Sequence, residues 1–412
     1  MWIPVLVEFV KSSTPMIWEK AVLILGNIIL YDMEEKGNYD LRDIIIKNGF
    51  LDYISCWTFD LWNILISSKR VLARFIYNMF KIKPHCIDYV EELLPSLDVL
   101  LQSNDIPTII EAVWTLNNLS TVVEDEVLKS IVPLLAHSDV EIVTAVLKTL
   151  RPGRVWSFST FREKHLGESG FFFYLHILLQ HQDKKIIQEA LLTLENLLQY
   201  GSQTAAQGVA DAQLLQFIVS HLDTVELQIQ KTAASVVTNL TSKMMYGGRH
   251  SRYWEAALLR DGLVPHICRS LNVENSEVIK IILHSVHNLL LSHFERDVCL
   301  QIKKCGGIDK IQSLQKHEDT TINQLASKVI ESYFSNLDVE KVVKVRGNSE
   351  ESISCRVEEY NSHENLFTDS EMVALMKVVG DIPIHADSRR PSASCRKCGL
   401  LLLILLTFDL SY

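Results

Sequence analysis

Glycine and proline are scarce in this 412-residue chain, at 16 and 10 residues. So little turn punctuation excludes a β-sandwich, and alternating patterns closed by Asn-Gly turns are hard to find. Cysteine is thin too, with eight residues at 56, 86, 268, 299, 305, 355, 395 and 398. That scatter gives no disulfide framework and predicts reduced, mostly buried thiols in a protein of the cytoplasm and nucleus. Cys395-Arg396-Lys397-Cys398 is a lone C-x-x-C with no second pair to complete a zinc site, so no metal is expected. The 14 histidines include no H-E-x-x-H, and no serine stands in a G-x-S-x-G elbow. Gly306-Gly307-Ile308-Asp309-Lys310 lacks the spacing of a phosphate loop and reads as a helix–helix turn. Neither enzymatic activity nor a cofactor is expected.

Other absences concern partners. The N-terminal residues lack the basic start and small-residue cleavage site of a secretory signal. The apolar run Leu400 to Leu406 is far shorter than the roughly 20 residues needed to cross a bilayer, so no membrane partner is expected. Basic residues are in deficit, 40 against 50 acids, giving a formal charge of −10. Such a balance disfavours nucleic acid and suits attraction of basic peptides.

What the chain has is helical periodicity. An apolar fraction of 48% is ample for a large core, and segments such as Ile186 to Leu198 carry apolar residues at i, i+3, i+4 and i+7. The expected class is all-α. A phrase also recurs, an apolar run with Asn near its end, as in Val22-Leu23-Ile24-Leu25-Gly26-Asn27-Ile28 and Val113-Trp114-Thr115-Leu116-Asn117-Asn118-Leu119. The asparagines are Asn27, Asn78, Asn118, Asn196, Asn239 and Asn288, with gaps of 51, 40, 78, 43 and 49 residues. The gap of 78 is two repeats with one member missing. A second phrase precedes several of them, seen in Leu94-Pro95-Ser96-Leu97 and Leu263-Val264-Pro265-His266, with Pro in a first helical turn. A period of about 40–47 with two or three helices per unit predicts a HEAT or armadillo solenoid.

Several segments resemble one family. Glu19 to Asn27 followed by Leu41 to Gly49 is similar to an early armadillo repeat of importin-α, the nuclear-import adaptor. Glu111 to Ser120 and Gln230 to Asn239 resemble later repeats, and Lys304 to Glu318 with Lys328 to Phe334 resembles the last ones. The resemblance covers about residues 1–336. It implies a right-handed armadillo superhelix of roughly eight units, irregular at 151–170, with residues 337–412 as a disordered tail. In that family the third helix of each unit lines a concave groove, where Trp and an Asn one turn later hold an extended basic peptide. The resemblance therefore assigns peptide binding to Asn27, Asn78, Trp114, Asn118, Asn196, Asn239 and Asn288, and implies cargo carrying nuclear-localisation-type peptides.

The chain departs from the family in three ways. Four residues before each Asn, only Trp114 is a tryptophan; elsewhere stand Leu23, Arg74, Leu192, Ser235 and His284. Arg74 would set a cation where a cargo lysine is expected. Arg151-Pro152-Gly153-Arg154 replaces the Asn of the fifth unit and should weaken the stack there. The family's basic importin-β-binding segment and first repeat are not found, so coupling to importin-β is not expected. The stretch 349–371 carries seven acids against Arg356. The family's own acidic tail adjoins its export-receptor surface, which makes the C-terminal repeats the expected place for such a contact. For the asparagines two readings stand: a groove that clamps peptide main chain, or bonds that tie neighbouring helices. The corresponding alternative for the whole chain is an armadillo scaffold that has lost cargo recognition.

Overall fold

Helical spacing of apolar residues becomes helices throughout the computed structural model, which describes residues 2–36, 40–57, 65–81, 90–119, 130–151, 166–245 and 252–334. No strand occurs among the described residues. All of them fall in the compact unit Met1–Asn348. The acidic stretch 349–371, the C-x-x-C and the apolar run 400–406 lie outside the described residues.

The helices are α1 (Ile3–Val10), α2 (Pro15–Lys36), α3 (Asp40–Lys47), α4 (Phe50–Trp57), α5 (Ile66–Phe80), α6 (Val90–Leu101) and α7 (Ile106–Leu119). A 3₁₀ turn at Val132–Ala136 leads into α8 (Val140–Leu150). Then come α9 (Phe171–Leu178), α10 (Lys184–Tyr200), α11 (Gln203–Asp211), α12 (Leu215–Ser220) and α13 (Leu227–Met245). The chain continues through α14 (Arg252–Arg260), α15 (Leu263–Ser270), α16 (Ser276–Leu290), α17 (Glu295–Lys304), α18 (Gly307–Leu314) and α19 (Thr320–Tyr333).

The architecture is an all-α armadillo solenoid whose third helices, α2, α5, α7, α8, α10, α13, α16 and α19, pack each directly on the next. Their buried residues, such as Leu72, Phe75, Ile109, Val146, Leu191, Val236 and Ile282, form one continuous core with the shorter helices behind. Burying a side chain of this size contributes about 1.5–3 kcal/mol, so every helix pair supports its neighbours, as expected of stacked repeats.

A local device starts many of these third helices. Asp105, Asp139, Asp183 and Asp319 each accept hydrogen bonds from backbone N–H groups in the first turn of α7, α8, α10 and α19. Two residues earlier a side chain accepts in turn from the aspartate's own N–H: Ser103 Oγ at 3.2 Å, and His137, His181 and His317 Nδ1 at 2.9 Å. The pattern His/Ser-x-Asp thus closes the helix entry from both sides, satisfying donors that would otherwise be orphaned.

Of the irregular segment 151–170, residues 152–165 lie outside the described residues. On either side the stack is joined. Thr193 Oγ1 on α10 donates to Leu147 O on α8 at 3.2 Å, and Gly170 adopts φ +78° at the head of α9, as Gly262 does at φ +90° before α15. Only glycine enters that left-handed region without strain.

Candidate functional site

The asparagines of the third helices form a row in common register. Asn78 Nδ2 on α5 donates to Gly26 O on α2 at 3.3 Å, Asn239 Nδ2 on α13 to Glu195 O on α10 at 3.1 Å, and Asn288 Nδ2 on α16 to Thr238 O on α13 at 3.4 Å. Each acceptor, Gly26, Glu195 or Thr238, immediately precedes the asparagine of its own helix: Asn27, Asn196 or Asn239. The same rung therefore repeats along the stack. Gly26 suits the first of these approaches, since a Cβ there would stand 3.3 Å from the Phe75 ring and 3.5 Å from Asn78 Nδ2.

The amide group has two donors and an acceptor. In these three rungs a donor ties the preceding helix, which leaves Oδ1 as an acceptor suited to a main-chain N–H. Both readings of the asparagines are thus compatible with one geometry. Asn78 is buried, Asn196, Asn239 and Asn288 are half-buried, and Asn27 on α2 is exposed. Asn118 differs, because its Nδ2 is buried without a hydrogen-bond partner among the described residues. Trp114, one turn before Asn118 on α7, is half-buried against the core. At the matching position of other helices Leu23, Arg74 and His284 are exposed, and Leu192 and Ser235 are half-buried. The row is consequently an accessible face and not a sealed seam.

Charge on this face is organised in pairs. Glu111 lies three residues before Trp114 and seven before Asn118, and Glu189 lies seven before Asn196, so both carboxylates share the asparagine face. Arg74 Nη2 on α5 meets Glu111 Oε1 on α7 at 2.6 Å. Arg151, just past α8 in the stretch that replaces the fifth unit's asparagine, pairs with Glu189 on α10, with Lys148 Nζ also 3.6 Å from that carboxylate. Burial pushes the Glu111 carboxyl above the ordinary carboxylate range, opposed by Arg74 and Lys81. Burial likewise pushes up Glu195, opposed by a hydrogen bond from Ser235 and by the charge of Arg151.

A second set of pairs runs between successive third helices near their N-terminal ends: Arg70 with Asp105 at 2.5 Å, Lys184 with Glu226, Lys231 with Glu277, and Lys280 with Asp319 at 2.6 Å. These join consecutive units. Their exposed partners, screened by solvent, keep most of them weak; Asp105 stands apart because its own side chain is buried.

The sequence pattern located the asparagines and Trp114 but not the carboxylates Glu111, Glu189 and Glu195. A signal for two of them was present, because Glu111 and Glu189 stand at the same offset from Asn118 and Asn196. Arg74 was foreseen as a cation in this face; its partner Glu111, 37 residues away in sequence, was not. Among the described residues no group of His, Cys, Asp and Glu is placed to hold a metal ion, and no helix is long and apolar enough to cross a membrane.

Comparison with known proteins agrees with the armadillo fold. Residues 296–344 match the family model described as an atypical Arm repeat. Importin subunit alpha-4 of Arabidopsis thaliana is 25% identical over 284 residues, covering 64% of this chain and 51% of the relative. Importin subunit alpha-1b of Oryza sativa subsp. japonica is 25% identical over 350 residues, covering 81% of this chain and 62% of the relative. The chain thus spans between about half and two-thirds of the length of these relatives. Among solved structures, an engineered protein matches with a TM-score of 0.57 at 20% identity, covering 80% of this chain and 77% of the other.

Proposed function

We propose that this chain, a divergent importin-α-like armadillo protein, holds extended basic segments of partner proteins along the asparagine face and so serves protein import into the nucleus. The observation that carries the proposal is the pairing of Trp114 and Asn118 on an accessible face beside a regular row of asparagine amides. An extended segment offers main-chain N–H groups at about 3.3 Å per residue, and Oδ1 atoms in register can accept some of them without reading side chains. Trp114 offers a ring against which a Lys or Arg stem can pack, with cation–π attraction of about 0.5–1 kcal/mol at an exposed site. Asn78 supplies the neighbouring main-chain clamp; Asn196 and Asn239 form a second, weaker site.

The test is titration of a fluorescent nuclear-localisation-type peptide into the purified chain at low salt. Saturable binding that falls severalfold in Trp114→Ala plus Asn118→Ala supports the proposal. Absence of binding, or binding indifferent to both substitutions, refutes it. A second reading, a scaffold that has lost cargo recognition, is favoured by one observation: Glu111 and Glu189 already hold the chain's own Arg74 and Arg151. An export-receptor contact at α16 to α19 and residence in both cytoplasm and nucleus belong to the same reading. Imaging of the tagged chain with nuclear export blocked checks both, since nuclear accumulation is expected.

A further inference from the structure

Resting on the peptide-binding reading above, we propose that Arg74 and Arg151 are resident occupants of the acidic positions on the asparagine face, and that they set its specificity by competing with the Lys or Arg side chains of a bound segment.

The face carries two carboxylates at the same offset from its asparagines, Glu111 and Glu189, and Glu195 stands next to Asn196 on the helix that bears Glu189. Each has one of the chain's own arginines beside it. Glu111 binds Arg74 at 2.6 Å, Glu189 binds Arg151, and Glu195 feels the charge of Arg151 while its oxygen takes a hydrogen bond from Ser235. Counting Lys81, whose charge acts on Glu111, and Lys148, these groups number four cations against three anions, a net charge of +1. Such a set gives an approaching basic segment no long-range pull of its own, whatever the chain's overall charge of −10.

The arginines nevertheless differ from the carboxylates in accessibility. The side chain of Arg74 is 58% exposed while that of Glu111 is 16% exposed. Arg151 is 26% exposed and Glu189 13%. The carboxylates are thus fixed and partly desolvated, whereas the guanidinium of Arg74 sits on the solvent side and can swing away on its long stem. Burial raises the cost of leaving Glu111 charged and unpaired, so the site requires a cation and uses its own when no other is supplied. A lysine from a bound segment gains the Glu111 contact only by displacing Arg74. Removing Arg74 leaves the same carboxylate without its cation, in a place that a peptide lysine can fill.

The geometry therefore assigns Arg74 and Arg151 as specificity-determining residues that lower affinity for segments with Lys or Arg opposite α5–α7 and α8–α10. Such segments bind more weakly than they would to the same face without these arginines.

The experiment uses the full chain and two fluorescent peptides of equal length, one rich in lysine and one with every lysine replaced by glutamine, titrated at low salt into wild type, Arg74→Ala, Arg151→Ala and Arg74→Ala plus Glu111→Gln. Circular dichroism of each variant checks that it is folded. The expected result is that each arginine substitution tightens the lysine peptide about two- to fivefold, the range for a partly exposed charge pair. The glutamine peptide should be unchanged, and Glu111→Gln should cancel the gain of Arg74→Ala. If either arginine substitution weakens the lysine peptide or leaves it unchanged while the wild type still binds, the competition is refuted and the peptide-binding reading survives. If no variant binds either peptide, both fall together. If Arg74→Ala tightens both peptides equally, the effect is steric and the charge argument is wrong.

Discussion

Replacing Asp105 should loosen the solenoid at one identifiable rung, and the structure says by how much. Its carboxylate accepts Arg70 Nε on both oxygens at 2.9 Å and Arg70 Nη2 at 2.5 Å, which ties α5 to α7. It also caps α7, accepting from Thr108 N at 3.1 Å and Thr108 Oγ1 at 2.6 Å. The Arg70 contacts, aided by those from Thr108, hold its carboxyl at about 2 against the ordinary 3.8. A difference of 3.8 − 2 = 1.8 corresponds to about 2.5 kcal/mol favouring the carboxylate. Arg70 is 55% exposed, so screening reduces this to about 1–2 kcal/mol. The cap is already included, because the Thr108 contacts are among the causes of the shift. Asp105→Ala should therefore cost about 1–2 kcal/mol at pH 7, and Asp105→Asn, which keeps an oxygen at the cap, measurably less. Because the folded carboxyl titrates below its unfolded value, the contribution is complete above pH 3.8 and is lost as pH falls towards 2. Urea unfolding followed by circular dichroism gives the totals. Since stacked repeats open locally, hydrogen exchange should place the loss in α5 and α7. Equal costs for Ala and Asn, or faster exchange spread over the whole chain, would refute the reasoning.

Three further outcomes follow from particular contacts. Asn239→Ala removes the rung to Glu195 O and should cost about 1 kcal/mol in the same unfolding assay, while Asn27→Ala, on an exposed residue of α2, should cost almost nothing. Gly307→Ala should destabilise by about 1–3 kcal/mol, because a Cβ there would lie 2.6 Å from Cys268 Sγ and 3.1 Å from Ile302 O; a neutral result in thermal unfolding would contradict that packing. His176 packs edge-on against the Phe217 ring at 4.3 Å, and burial lowers its pKa from the ordinary 6.5. Its contribution is therefore present above 6.5 and lost as pH falls through the folded value. A melting temperature that drops on acidification from neutral pH, with a smaller drop in His176→Phe, is the expected outcome.

The third helices were legible in sequence because their apolar residues recur at helical spacing over long stretches, as in Ile186 to Leu198. The asparagine row was legible for a related reason: a repeat fold brings equal positions of successive units together, so a recurring residue becomes a row in space. What the row bonds to was not legible, because an amide can donate or accept and only the approach of α2 to α5 decides that Asn78 donates to Gly26 O. Arg74 and Arg151 illustrate the same limit. Their charge could be read from the chain, but neutralisation by Glu111 and Glu189 depends on pairing across 37 and 38 residues. The paired caps, Ser103 with Asp105 and His137 with Asp139, stood in the sequence as a fixed offset whose meaning emerged only with the two hydrogen bonds. The break at Arg151-Pro152-Gly153-Arg154 predicts a weakened stack; of it only Arg151 is among the described residues, and the contact of Thr193 Oγ1 with Leu147 O joins the helices that flank it.

The central claim is that an extended partner segment lies along the asparagine face. A basic peptide carrying a photoreactive residue, cross-linked to the full chain and mapped by mass spectrometry, tests it most directly. The account predicts adducts on α5, α7, α10 and α13, concentrated near Trp114 and lost on addition of unlabelled peptide. Adducts that survive this competition, or that fall on the helices behind the face such as α6, α9 and α15, would contradict it.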